Sequence, residues 1–244
     1  MSEFLLFSTS AATLLGLGFF IGLKHATEAD HLAAVSTIVT ERKSLLSSAI
    51  IGGIWGLGHT ISLMVVGIFV LLLNFHVSER SERMLEFGVG VMLVVLGLNV
   101  FRKLVQGGKI HIHAHEHGAR QHVHPHLHEV SEIEESHTHH GFSFSPRALI
   151  IGMVHGLAGS AALMLVVLPT IDSRPLGLLY IAVFGIGSIF GMMLMSLLVG
   201  LPFTLTALKF ERFNFLLQSI AGLVSIGLGF YIIYEKGVIE GLLV

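Results

Sequence analysis

The chain has 244 residues, of which 53% are hydrophobic and only 12% charged. An ordinary soluble domain carries about 25% charged residues, so we expect an integral membrane protein instead. The net charge of −2 argues against nucleic acid as a partner. Since the chain has no cysteine, disulfides, thiolate metal sites and iron–sulfur clusters are excluded, and histidine and methionine remain as borderline or soft metal ligands.

Apolar stretches predict an all-α fold with six transmembrane helices, each of which needs about 20 residues. The stretches cover about 8–38, 47–73, 84–102, 146–169, 176–203 and 212–234. Residues 1–105 and 146–244 would then form two units of three spans. The polar segment 106–145 between them has few apolar residues to bury, so we expect it to be a disordered loop.

Lysine and arginine are concentrated in the loops after the first, third and fifth spans. Such residues favour the cytoplasmic side of a membrane. This asymmetry predicts a multi-pass protein of the cytoplasmic (inner) membrane with both termini outside. The polar segment 106–145 would lie in the cytoplasm.

Ionisable residues interrupt the first apolar stretch at Lys24, His25, Glu28, Asp30 and His31. Each such group costs roughly 2.5–3.5 kcal/mol at membrane depth, so the group predicts a functional site. Imidazole and carboxylate together suit a divalent transition metal. The alternative is an ordinary charged helix end at the membrane surface, which the apolar residues that follow disfavour.

A straight helix would place His25, Glu28 and His31 within an arc of about 120° and Asp30 outside it. Either Asp30 then has a second role such as orienting an imidazole, or the helix unwinds near Gly22–His25 and the four side chains converge. An ion pair from Lys24 to Glu28 would neutralise Glu28. That pair would leave His25, Asp30 and His31 as the better ligand candidates.

The two three-span units resemble each other in sequence. Gly22–His25 in the first matches Gly152–His155 in the second, and Trp55–His59 matches Phe184–Ser188. Because each unit has an odd number of spans, the second would cross the membrane in the opposite sense. The pattern predicts the inverted repeat of many secondary transporters, with a site near the midplane.

Two further histidines lie inside predicted spans, His59 in the second and His155 in the fourth. We expect both to join the metal site. The alternative is that each imidazole forms only a hydrogen bond to a neighbouring backbone. The methionines at 192, 193 and 195 are interpreted as packing residues, because methionine in apolar helices commonly fills gaps, with a soft-metal path as the alternative. Trp55 is interpreted as a packing residue too.

The polar segment is rich in histidine at alternate positions, a composition typical of metal binding. We expect it to buffer or deliver metal, and the alternative is a solvated, pH-responsive linker. The candidate loop ligands are His111, His113, His115, His117, His122, His124, His126, His128, His137, His139 and His140.

The segment His25–Leu32, HATEADHL, resembles the HAxDADH(I/L) signature of the nickel/cobalt transporter family. Gly58–Ile61, GHTI, resembles that family's second motif, and the motif that begins at Gly152 is similar to its smaller urease-accessory-type branch. The histidine-rich segment is similar to that of related nickel/cobalt efflux proteins.

This resemblance implies secondary transport of Ni²⁺ or Co²⁺, with His25, Asp30, His31 and His59 as metal residues. Glu28 stands where the family has aspartate. The acidic residues of the later motifs in the larger transporters are absent.

We therefore expect a transporter, not an enzyme, for a divalent transition metal, with nickel first and cobalt next as substrate and no cofactor. The expected partners are the divalent metal ion, the lipid bilayer and a cytoplasmic metallochaperone. The alternatives are a membrane metal sensor or storage protein and an intramembrane metalloenzyme, although no HExxH motif is present. The sequence is compatible with import and with export.

Overall fold

The computed structural model describes residues 2–40, 44–73, 78–106, 111–117, 120–126, 145–158, 171, 173–206 and 210–243. Within them the chain forms seven α-helices, one two-stranded hairpin and a short π-helix. In chain order the elements are α1 (Ser2–His25), α2 (Ala29–Val39), α3 (Leu45–Leu73), α4 (Glu79–Gln106), β1 (His111–His117), β2 (Arg120–His126), α5 (Pro146–Ala158), α6 (Arg174–Thr206), α7 (Glu211–Tyr234) and the π-helix Glu235–Ile239.

The helical membrane fold expected from the apolar stretches is present. Helices α3, α4 and α6 and the stretch Arg212–Ile239 are long and apolar enough to cross a membrane. Helices α2 and α5, and the part of α1 from Ala11 to His25, are apolar but shorter. The count of six spans stays a prediction, because residues 159–170, in the predicted fourth span, lie outside the described residues.

The first predicted span is two helices, α1 and α2. Helix α1 ends at His25, and the backbone is extended at Glu28 (φ −65°, ψ 151°) before α2 begins at Ala29. The Thr27 backbone N–H and hydroxyl both donate to the Lys24 carbonyl oxygen, at 2.8 and 2.7 Å, which closes the turn. Of the two geometries that the sequence leaves open, the broken helix forms, and the break follows His25.

Glycine contacts show how the core helices run. Gly18 lies against the ring of Tyr180 and Gly22 against the backbone of Phe184, so residue numbers rise together along α1 and α6. These two helices are therefore parallel. A Cβ at Gly22 would collide with the Phe184 carbonyl oxygen, which shows how closely the backbones approach.

Helices α3 and α5 are also parallel to each other. Gly152 lies against the backbone of Trp55, and Gly156 against that of His59. Helix α3 runs antiparallel to α6, and α4 runs antiparallel to α7. The contacts that establish these two directions are Gly52 with Ser196, Gly56 with Ile189, Gly90 with Gly229 and Gly97 with Gly222.

The histidine-rich segment contains the two strands that the structure describes. Strands β1 and β2 pair antiparallel, with His113 opposite His124 and His115 opposite His122. The spacing of the histidines at alternate positions matches the two-residue period of a strand. The disorder predicted for residues 106–145 stays a prediction, and His128, His137, His139 and His140 lie outside the described residues.

Substitution of Gly22 by alanine is expected to destabilise the fold by about 1–3 kcal/mol, because an added methyl forces apart a packed helix pair. Gly16, in the same helix, is the matched control, since its Cβ would meet nothing within 4 Å. Thermal melting in detergent measures both variants. Equal melting temperatures for Gly22→Ala and Gly16→Ala would contradict the close α1–α6 contact.

Candidate metal centre

Four buried histidines from four helices converge inside the bundle. His25 ends α1, His31 lies in the first turn of α2, His59 in the middle of α3 and His155 in the last turn of α5. Each is at most 1% exposed. With Asp30 they form what we call the histidine cluster.

His31 lies at the centre of the cluster. Its ring centroid is 4.4 Å from that of His25, 5.3 Å from that of His59 and 4.1 Å from that of His155. The helix break positions these rings, because it ends α1 just after His25 and brings the first turn of α2 beside it. Gly156 contributes as well, since it lets α5 approach the backbone of His59.

The Asp30 carboxylate joins two of the imidazoles. One oxygen lies 2.9 Å from His31 Nδ1 and the other 3.0 Å from His155 Nε2, and the His31 backbone N–H donates to the first at 2.8 Å. Because an ionised carboxylate only accepts, each ring presents an N–H to it. The opposite ring nitrogens, His31 Nε2 and His155 Nδ1, are buried without a hydrogen-bond partner among the described residues.

This arrangement suits metal binding. A metal-ligating histidine ordinarily donates its other ring N–H to a carboxylate, which fixes the tautomer and the ring orientation. Two sets of three side chains have ligand atoms that all lie within 4.8 Å of one another: His25, His31 and His59, and Asp30, His31 and His155. Both sets include His31. Imidazole-rich donors favour zinc, nickel, cobalt, copper or iron over magnesium or calcium.

Glu28 lies at the edge of the cluster and not within it. Its Oε1 is 3.0 Å from His25 Nδ1, and its side chain is 46% exposed. The ion pair considered between Lys24 and Glu28 does not form among the described residues. The helix break is the reason, since Glu28 is not one continuous helical turn after Lys24, and its carboxylate lies against His25 instead.

The structure thus brings together five of the candidates named from sequence: His25, Asp30, His31, His59 and His155. Their roles as ligands stay a prediction. The same holds for the histidines of the loop, since their side chains lie outside what the structure describes.

Trp55 is a neighbour of the cluster that the sequence interpretation treated only as packing. Its ring centroid is 5.5 Å from that of His31 and 5.6 Å from that of His155. The buried indole N–H has no hydrogen-bond partner among the described residues. Its spacing was the available signal, because Trp55 lies four residues before His59 and so shares its helix face.

Fold and site together define a multi-helix membrane protein with a histidine and carboxylate centre buried among its helices. Comparison with known proteins gives the family. The chain is 40% identical over 230 residues to the urease accessory protein UreH of Bacillus sp. (strain TB-90), and the match covers 94% of each chain. It therefore belongs to the UreH family.

Two plant proteins are more distantly similar. The chain is 28% identical over 235 residues to the chloroplast protein FOR GROWTH AND FERTILITY 2 of Arabidopsis thaliana, and 26% identical over 220 residues to FOR GROWTH AND FERTILITY 1. It spans 59% and 57% of their lengths, respectively. No family model and no solved structure matches the chain.

Proposed function

We propose that this protein is a secondary transporter that moves a divalent transition metal, nickel first and cobalt next, across the cytoplasmic membrane. The histidine cluster is the observation that carries the proposal. Four buried imidazoles and a carboxylate lie among apolar helices, and α3, which carries His59, is long enough to span a membrane. Such groups are costly there and mark ion pathways or relays.

In the proposed cycle the metal sheds water to bind imidazoles of the cluster, with His31 shared by both ligand sets. His25 and His59 complete one set, and Asp30 and His155 the other. Asp30 also orients the two rings that it contacts. Since imidazole binds metal only when neutral and carboxylate only when ionised, acid weakens binding.

We further propose that the two three-span units form an inverted repeat that rocks about the cluster. Corresponding helix contacts in the two units support this symmetry. Gly22 packs on Phe184, and its sequence counterpart Gly152 packs on Trp55, the counterpart of Phe184. The directions of the helices support it too, because α5 runs opposite to its counterpart α1 and α6 opposite to its counterpart α3.

The charge pattern of the loops supports a placement in the cell. Positive loop charges support the inner membrane, both termini outside and the histidine-rich segment in the cytoplasm. A cytoplasmic metallochaperone is then the natural partner of that segment. The relative named as a urease accessory protein supports a similar accessory role, in which this chain moves the metal.

Metal flux into sealed proteoliposomes of the purified protein tests the proposal. Ni²⁺, Co²⁺, Zn²⁺, Fe²⁺ and Mn²⁺ are compared, with His25→Ala as the control variant. We expect saturable flux of nickel or cobalt that His25→Ala lacks. Metal that binds but never crosses the bilayer would contradict transport and favour a sensor or storage protein.

Removal of the loop histidines is expected to change the apparent affinity or rate of transport while saturable flux remains. The physical reason is that the loop lies outside the cluster and only raises the local metal concentration. A variant with all loop histidines replaced by glutamine keeps the loop length and isolates the imidazoles. Flux kinetics give the measurement, and complete loss of flux, as in His25→Ala, would place the essential site in the loop.

A further inference from the structure

Two buried serines of α6 are exceptions in their hydrogen bonding. Within the described residues, Ser188 Oγ and Ser196 Oγ are fully buried and have no partner. The other buried serines and threonines that the structure describes all have one, namely Thr37, Thr40, Ser48, Ser62, Thr206 and Ser225. The hydroxyl of a serine in an apolar helix ordinarily donates to a carbonyl oxygen of the preceding turn. Two buried hydroxyls without a hydrogen-bond partner on one helix are therefore unusual.

The two serines share one face of α6 with a methionine. Ser188, Met192 and Ser196 recur at every fourth residue and span about 12 Å along the helix. Met192 is also fully buried. We call this set the donor row, because its three side chains offer oxygen, thioether and oxygen atoms.

The donor row begins at the histidine cluster. Ser188 lies against Gly22, three residues before His25, and the ring of Phe184 on the same helix is 5.6 Å from that of His25. The row ends away from the cluster, because Ser196 Oγ lies against Gly52, seven residues before His59.

The helix directions show which end of the bundle the row approaches. Parallel α3 and α5 begin at the same end, and antiparallel α6 finishes there. That end is where the histidine-rich segment joins α5, at residue 145. Ser196 therefore lies between the histidine cluster and the side of the histidine-rich segment.

We propose that the donor row lines the path of the metal between the histidine cluster and the side of the histidine-rich segment. Its hydroxyls and thioether would contact a partly hydrated divalent cation in passage, which accounts for hydroxyls that bond to nothing in the protein. The path is closed in this conformation, since Gly52 and Gly56 hold α3 against the row. This inference rests on the proposed transport function.

The test is flux of Ni²⁺ into proteoliposomes by a Ser188→Ala, Ser196→Ala double variant. We expect flux to fall by about tenfold, the size of one lost polar contact to a charged group. Metal affinity of the cluster should stay at the wild-type value, and the melting temperature should not fall, because neither hydroxyl gives up a hydrogen bond. Ser225→Ala is the matched control, since its hydroxyl donates to the Leu93 carbonyl oxygen at 2.8 Å. It should lose stability but keep flux.

A second readout uses the fact that the chain has no cysteine. Ser196→Cys and Ser225→Cys each introduce a single buried thiol. During turnover a small hydrophilic thiol reagent should modify the first and not the second. If the reagent fails to modify either thiol, or if the double alanine variant keeps wild-type flux, the proposed role of the donor row is wrong while transport stands. Absence of flux in the wild type, as in His25→Ala, overturns the transport function itself and this inference with it.

Discussion

Replacement of His31 by alanine is expected to abolish saturable nickel and cobalt flux and to weaken metal binding by more than about 100-fold. The loss of an outer-shell partner alone typically costs about 10–100-fold in metal affinity, and His31 belongs to both candidate ligand sets. No alternative set of three ligands remains among the described residues once its imidazole is gone. Titration calorimetry and proteoliposome flux measure the two effects separately.

Two further variants make the His31 result interpretable. His31→Gln keeps most of the side-chain volume, so loss of binding in both variants cannot be a cavity effect. His113→Ala in the hairpin removes an imidazole outside the cluster and should keep saturable flux. If His31→Ala bound metal with wild-type affinity, the histidine cluster would not be the metal site of the proposed transporter.

Replacement of Asp30 by asparagine is expected to lower metal affinity by at least about 10–100-fold, the cost of losing its outer-shell role alone, with little loss of stability. The carboxylate accepts from both His31 and His155, whereas an amide offers only one accepting oxygen. One ring must then turn over or change tautomer, which takes its free nitrogen out of position. Calorimetry and thermal melting of the same preparation give the measurement.

Asp30→Ala separates positioning from folding. It leaves two buried ring N–H groups unpaired, and each costs about 1–3 kcal/mol, so this variant should also melt at a lower temperature. Asp30→Asn should therefore lower metal affinity alone, whereas Asp30→Ala should lower both metal affinity and the melting temperature. An Asp30→Asn variant that binds metal as tightly as the wild type would exclude any role for the charge.

Much of the helical fold is predictable from the chain alone. The apolar stretch 47–73 corresponds to α3 at Leu45–Leu73, and 176–203 to α6 at Arg174–Thr206, because a long apolar run has few other stable forms in a membrane. The exact position of the break between α1 and α2 was not predictable. It depends on tertiary contacts of residues such as Ala26, which packs against Gly191 of a distant helix.

The candidate site was predictable in composition but not in its bonding. Spacing identified His25, Asp30 and His31, and the internal resemblance added His155. The Asp30–His155 hydrogen bond joins residues 125 positions apart, so no local pattern could indicate it. The contact of Glu28 with His25 was likewise hidden, because it exists only once the helix has broken.

The single carboxylate of the histidine cluster has an electrical consequence. In the proposed transport cycle, with the imidazoles neutral, the empty cluster carries one negative charge from Asp30, and the cluster loaded with a divalent ion carries one positive charge. Moving one unit charge across the full membrane potential changes its electrical energy by about 2.3 kcal/mol per 100 mV. With the interior negative, both the inward movement of the loaded centre and the outward return of the empty one are favoured. Asp30 thus divides the electrical work of a divalent ion into two equal steps.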